Sequence, residues 1–179
     1  MIVLCRHGAT DANAGGAFLS KNDPPLNAIG RAQSRRARVA LHHTHFAVTP
    51  CSPMLRCIQT LEIVAPYAAP IACDELREID FGSWDGRTLE WIERHDPEGL
   101  ARRRADPVRF RPPGGESFLD VADRLLPFAQ RTRARAGDGV LVVAHRGSLG
   151  VLERLLRDVA LDSRDVPPLE PGEYRIVLS

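Results

Sequence analysis

Two hydrophobic spacings alternate along the chain. Short runs of β-branched and apolar residues at Met1–Cys5, Phe46–Thr49, Pro70–Cys73, Gly139–Ala144 and Tyr174–Leu178 have the length and make-up of strands. Between them, apolar positions recur every three or four residues. Ser117, with Asp120 three residues on, opens one such stretch, whose face carries Phe118, Val121, Ala122, Leu125 and Ala129; Pro127 is expected to kink it. Ser52-Pro53 starts another, with Leu55, Ile58 and Leu61 on one side, a third runs from Asn27 to about Leu41, and a last from about Ser148 to Arg157. Strands that alternate with helices imply parallel crossovers and a sheet covered twice. The expected class is therefore α/β, a three-layer α/β/α arrangement with a mostly parallel central sheet and helices on both faces.

The segment from Asp85 to Gly115 breaks this rhythm. It is charged, holds Arg102-Arg103-Arg104 and contains Pro107, Pro112 and Pro113, so it reads as a small helical insertion with a mobile connection. Residues 1–179 are then expected to form a single domain. A chain of this length buries roughly 70% of its unfolded surface, enough for a core without disulfide or metal staples. The 24 basic and 23 acidic side chains leave a net charge of +1, which argues against nucleic acid or an anionic membrane as partner. Lys21 is the one lysine and the other basic residues are arginines, so Schiff-base or P-loop lysine chemistry is excluded unless Lys21 supplies it. The apolar start, Met1 to Cys5, is too short for a signal-peptide core or a membrane span, and a cytoplasmic location is expected. Cys5, Cys51, Cys57 and Cys73 lack C-x-x-C spacing and read as reduced core thiols. Cys51 and Arg56 are separated by four residues, one fewer than a cysteine phosphatase loop needs.

In open α/β sheets ligands bind beyond the carboxyl ends of the strands. The first strand ends in Arg6-His7-Gly8, the second leads through Cys51-Ser52-Pro53 to Arg56, and the fourth ends in His145-Arg146-Gly147. Two histidines and two or three arginines thus converge on one sheet edge, a combination suited to a phosphoryl group. A histidine nucleophile must be neutral, and arginines beside it disfavour the imidazolium. The same arginines grip phosphate oxygens in bidentate fashion and stabilise charge on the transferring group. A departing alkoxide needs a proton from a nearby carboxyl group, for which Glu78 is the candidate and Asp80 and Glu75 the competitors.

These residues carry a resemblance. Arg6-His7-Gly8-Ala9-Thr10 with Asn13, Pro25-Leu26-Asn27, Gly30-x-x-Gln33, Ser52-Pro53-x-x-Arg56-x-x-Gln59-Thr60, Glu78-x-x-x-Gly82-x-Trp84-x-Gly86, Gly115-Glu116-Ser117 and Ala144-His145 together resemble the histidine phosphatase superfamily, which is phosphoglycerate-mutase-like. The resemblance spans residues 1 to about 150. It implies that His7 becomes phosphohistidine, that Arg6, Arg56 and His145 form a phosphate pocket helped by Asn13, and that Glu78 is the proton donor. It implies no cofactor and no metal, with a small phosphomonoester as partner and the 85–115 insertion as a lid over the site. Leu76–Gly86 and the short length look most like the α-ribazole phosphatase and broad-specificity branch.

The chain departs from the family pattern at two places. Arg146 stands where glycine usually follows the second histidine, and would either bind a second substrate anion or salt-bridge the insertion. Ser20 stands where many members carry glycine, in the loop Phe18–Asn22 that should shape the substrate pocket. That loop makes Lys21 either a substrate contact or a solvated side chain. His42, His43, His45 and His95 read as helix-end and surface histidines, and Trp84, Trp91 and Phe81 as packing. Arg102 to Arg104 read as a solvated helix face, and Arg77 as a partner of Asp80 or Asp74. Two alternatives to a phosphatase remain. One is a phosphoglycerate mutase, whose members are usually longer; the other is a non-catalytic protein of this fold that binds a phosphorylated ligand. The sequence sets no oligomeric state.

Overall fold

The structure is a computed structural model that describes residues 1–178 and their side chains, apart from those of Asn13 and Ala14. Its sheet is built from β1 (Ile2–Arg6), β2 (Pro50–Cys51), β3 (Ile71–Ala72), β4 (Val140–Ala144) and β5 (Tyr174–Leu178), in the order β3-β2-β4-β1-β5. β1, β2, β3 and β4 run parallel, and β5 closes one edge antiparallel to β1. The fold is three-layer α/β, as the alternation of periods predicts.

Every residue of β1 and β4 is buried, because helices cover both faces. The side chains alternate with period two. Ile2, Leu4, Val140, Val142 and Ala144 pack into one cluster with Val121, Leu125, Leu149 and Leu152; Val3, Cys5, Leu141 and Val143 pack into the other with Ala37, Leu41, Cys57 and Leu61. The first face is roofed by α6 (Phe118–Ala134) and α7 (Arg146–Arg157), the second by α2 (Ala28–Leu41) and α3 (Leu55–Val64); α1 (Asp11–Ala14) is one turn. α6 opens with the anticipated capping box between Ser117 and Asp120 and runs through Pro127, which lies on the exposed side of the helix. α2 starts one residue after Asn27, whose Oδ1 accepts the Gly30 amide at 2.9 Å.

Two boundaries differ from the sequence reading. The second strand is Pro50–Cys51, and the Phe46–Thr49 run contributes to the sheet only a bridge, from Val48 to Val140. The last helix begins at Arg146, two residues early, since Ser148 caps it from inside the first turn. Within 85–115 lie α4 (Leu89–His95) and α5 (Pro97–Ala105). They are held by a separate cluster of Trp84, Ile92 and Leu100 with Phe18, Phe81, Trp91 and Phe110, in keeping with a packing role for the aromatics. No helix among the described residues is long and apolar enough to cross a membrane.

Candidate active site

The adjacent strands β2, β4 and β1 end side by side, so Ser52, His145 and His7 meet at one edge. The His7 amide donates to the Ala144 carbonyl at 3.0 Å and the Ser52 amide to the Val143 carbonyl at 3.0 Å, extending the parallel ladder by one step into the site. His7 and His145 are buried, and their rings meet edge-on at 5.1 Å. Gly8 is required here by a crossing of two backbones. A Cβ at Gly8 would lie 2.4 Å from the Gly30 carbonyl oxygen, and one at Gly30 would lie 2.1 Å from that of Ala9. Glutamine and threonine side chains of the quoted motifs fasten this crossing. Thr60 Oγ1 accepts the Gly8 amide, Gln33 Oε1 the Ala9 amide and Gln59 Oε1 the Leu26 amide.

His7 Nδ1 lies 2.7 Å from the Gly8 carbonyl oxygen. A carbonyl only accepts, so Nδ1 holds the proton and Nε2 carries the lone pair of the neutral ring. Burial, then the charge of Arg56 and to a smaller extent that of Arg6, push His7 down to about 3, against the opposing effect of the Gly8 bond. Burial, and then His7 and the two arginines, likewise hold His145 well below the ordinary imidazole range; its Nε2 lies 2.8 Å from Ser52 Oγ. Both rings are therefore neutral at pH 7.

Arg6, His7, Arg56 and Glu78 line a cavity of about 630 Å3. His145 lies behind this wall, fully buried. Each arginine is tethered through Nη1 and keeps a buried Nε–H without an acceptor: Arg6 donates to the Leu169 carbonyl at 2.9 Å, and Arg56 donates to the Asn22 carbonyl at 2.9 Å and to Asp23 Oδ1 at 3.2 Å. Orphaned buried donors are costly in the folded chain, and both guanidiniums bring a full positive charge to the cavity wall. Glu78 crosses to the start of α7. Its Oε1 accepts the Ile79 and Ser148 amides at 2.9 and 3.0 Å, and its Oε2 the Gly147 amide at 3.1 Å. Gly147 makes this approach feasible, since a Cβ there would fall 2.6 Å from Oε1.

The competitors of Glu78 are committed elsewhere. Glu75 pairs with Arg131 and Asp80 with Lys21, both at 2.9 Å, while Arg77 pairs with Asp74 at 2.8 Å. Ser20 and Lys21 line a second cavity of about 320 Å3 that Glu78 also lines. Ser20 Oγ accepts the Phe81 amide at 3.2 Å, and the Lys21 side chain is 70% exposed. Neither is among the residues lining the cavity beside His7. The Asn13 side chain lies outside the described residues. Arg146 does line that cavity, and it forms no ion pair among the described residues, so the salt bridge to the insertion is not made.

Three features escaped the sequence reading. Ser52, which holds His145, reads from sequence as a helix start and a motif position but not as a histidine partner, and Asp23, which holds Arg56, has no local signal. The segment after residue 158 also shapes the site, since Leu169 anchors Arg6 and the Gly172 amide donates to the His7 carbonyl at 3.1 Å; Pro167-Pro168 and Pro171-Gly172 were its only local signal. Finally, Arg103 is a correction. It faces the cavity, stacked on Phe18 and Trp84 with its guanidinium carbon 5.0 and 5.8 Å from the ring centres, while Arg102 and Arg104 are exposed as expected.

Comparison with known proteins agrees with this geometry. The chain is 34% identical to the bifunctional protein Rv2228c of Mycobacterium tuberculosis over 165 residues, 88% of this chain and 44% of that one, so it spans under half the length of that relative. It is 31% identical to a 2,3-bisphosphoglycerate-dependent phosphoglycerate mutase of Methylobacterium sp. (strain 4-46), covering 98% of this chain and 91% of the mutase. Chain length therefore does not separate it from a mutase. The crystal structure of the α-ribazole phosphatase from Shigella flexneri superposes with a TM-score of 0.83 at 26% identity, covering 97% of this chain and 87% of that one. The profile described as histidine phosphatase superfamily (branch 1) matches residues 2–177, well beyond residue 150, and with the paired histidines and arginines at three adjacent strand ends it places the chain in that superfamily.

Proposed function

We propose that the protein is a phosphomonoesterase that passes the phosphoryl group of a small metabolite through His7 to water. One observation carries this reading: a neutral His7, with its Nε2 lone pair left over, lines the same cavity as two buried arginines, Arg6 and Arg56. In the first half-reaction the Nε2–P bond forms as the ester P–O bond breaks in line, and Glu78 protonates the departing oxygen. Oε1 already accepts two amides and Oε2 only one, so Oε2 is the oxygen with room for the proton. In the second half-reaction Glu78 takes a proton from water, whose oxygen attacks phosphorus and releases phosphate from Nε2. Arg6 and Arg56 hold the phosphoryl oxygens and Asn13 assists; His145, expected to join them, instead backs His7 from behind the cavity wall, and the Gly8 carbonyl supports the positive charge that builds on the ring. Arginines supply the charge stabilisation that metal ions supply elsewhere.

Segment 85–115 caps the reaction as a lid, the chain acts as one domain, and buried free thiols at Cys5, Cys51 and Cys57 support a cytoplasmic setting. Labelling with a 32P-phosphomonoester tests the central step. Wild type should acquire acid-labile label and release phosphate, and His7→Ala should do neither; label that persists in His7→Ala overturns the assignment. The similarity to a mutase over most of its length favours one second reading, return of the phosphoryl group to a bound acid. Phosphate release set against isomer interconversion on 3-phosphoglycerate separates the two. A protein that binds phosphomonoesters and hydrolyses none of a broad panel would be a regulatory relative instead.

A further inference from the structure

Six arginines among the described residues are not exposed: Arg6, Arg56, Arg103, Arg124, Arg154 and Arg175. Five of them donate to carbonyl or carboxylate oxygens, as Arg124 does to Glu116 and Arg154 to the Ser163 and Val166 carbonyls. Among the described residues, Arg103 alone of the six has no hydrogen-bond acceptor and no ion pair. Its guanidinium carbon sits 5.0 and 5.8 Å from the ring centres of Phe18 and Trp84, a cation–π contact that leaves its N–H groups without an acceptor among the described residues. Its neighbour Arg104 shows what the same helix does with a solvent-facing arginine, pairing with Glu93 at 2.9 Å.

Arg146 comes to the same cavity from the first turn of α7, also without an acceptor among the described residues. The two cations feel one another: burial and the charge of Arg146 both lower the affinity of Arg103 for its proton, and Arg146 acts the same way on Arg6. The carboxylates that share this cavity are already engaged, Glu78 with three amides and Glu170 with Arg6 at 3.8 Å. Two mutually repelling arginines, from two different helices lining one ligand-sized cavity and without an acceptor among the described residues, lack one component, an anion between them.

We infer that Arg103 and Arg146 form a second anion subsite, so that the preferred substrates carry, besides the phosphomonoester, a carboxylate or second phosphoryl group on the same small molecule. This rests on the phosphatase reading above and narrows its substrate class. The phosphomonoester occupies Arg6 and Arg56, and the second anion is bound in fork geometry by the arginine of the insertion and that of α7. Because one of the pair belongs to the 85–115 segment, the second anion also ties that segment to the sheet edge once substrate is bound.

Matched substrates that differ only in the second anion test the inference: 2-phosphoglycolate against 2-hydroxyethyl phosphate for a carboxylate, and fructose 1,6-bisphosphate against fructose 6-phosphate for a phosphoryl group. Charge-assisted bonds of this kind predict a preference in kcat/KM of about 10- to 100-fold for the member of at least one pair that carries the second anionic group. That ratio should fall towards one in both Arg103→Gln and Arg146→Gln, and hold in Arg104→Gln. Arg146 is exposed, so its substitution keeps the test alive if loss of the Arg103 stack impairs folding. Equal kcat/KM within both pairs, or a preference untouched by Arg146→Gln, overturns the subsite. Calorimetric binding of the same pairs, with p-nitrophenyl phosphate turnover measured alongside, separates the two levels of argument. Selective binding without turnover refutes the phosphatase reading and keeps the subsite, whereas turnover without selectivity does the reverse.

Discussion

Two neutral imidazoles buried among arginines make the fold sensitive to acid in a calculable way. Both His7 and His145 titrate below their ordinary value of ~6.5 when folded, so below that pH the unfolded chain binds two protons that the folded chain refuses. Their stabilising contribution is therefore complete above pH ~6.5 and is lost as pH falls. From pH 7 to pH 5 a group that titrates at ~6.5 unfolded and stays neutral folded costs about 1.9 kcal/mol, and the pair costs about 4 kcal/mol. Against a total stability of ~5–15 kcal/mol this is large, and it corresponds to about 8–15 °C in Tm for a chain of this size. Carboxylates add their own pH dependence, which cancels when wild type is compared with His145→Gln. The amide can retain a bond to Ser52 and cannot titrate, so the stability difference between wild type and variant should change by about 2 kcal/mol between pH 7 and pH 5 in favour of the variant. Urea unfolding followed by tryptophan fluorescence suits the measurement, in buffers free of phosphate, because an anion bound between Arg6 and Arg56 would stabilise the folded state by mass action. A variant whose pH dependence parallels that of wild type would refute the account of the buried pair.

Glu78→Gln should lower kcat on alkyl phosphates by about 10²- to 10⁴-fold and much less on p-nitrophenyl phosphate, whose leaving group departs without a proton; an equal loss on both would remove Glu78 from the role of acid. Arg56→Lys gives up both the fork geometry and the bond to Asp23, and steady-state kinetics should show kcat/KM reduced about 10²- to 10³-fold. Gly30→Ala drives a methyl group into the Ala9 carbonyl and should cost about 1–3 kcal/mol by thermal melting, whereas Gly137→Ala meets nothing within 4 Å and should leave Tm unchanged or slightly raised. Similar melting temperatures for the two alanine variants would contradict the close backbone crossing.

What could be read from the sequence is what local order controls. Arg6 and His7 follow β1 directly, His145 follows β4, and Arg56 stands in the first turn of α3, so once the strands are recognised the sheet carries these side chains to one edge. Glu78 is harder, because β3 is two residues long and a 3-10 turn separates it from the acid; its place after the strand leaves Glu75 and Asp80 as competitors, and the company of Gly82, Trp84 and Gly86 favours it. Asp23 and Leu169 could not be found by such reasoning. Their contacts to Arg56 and Arg6 close loops of 33 and 163 residues, and no periodicity encodes a contact at that separation. The arginine triplet is the instructive case between these extremes. Read as a block of charge, Arg102-Arg103-Arg104 is a solvated face, yet successive residues of a helix point ~100° apart and cannot all share one environment. Leu100 is buried in the cluster with Trp84 and Ile92, and the position three residues on shares its face. Arg103 is therefore the member of the three that the apolar anchor turns inward, against Phe18 and Trp84 and into the cavity. The phase of the helix, set by a single leucine, separates one specificity-determining cation from two that remain in solvent.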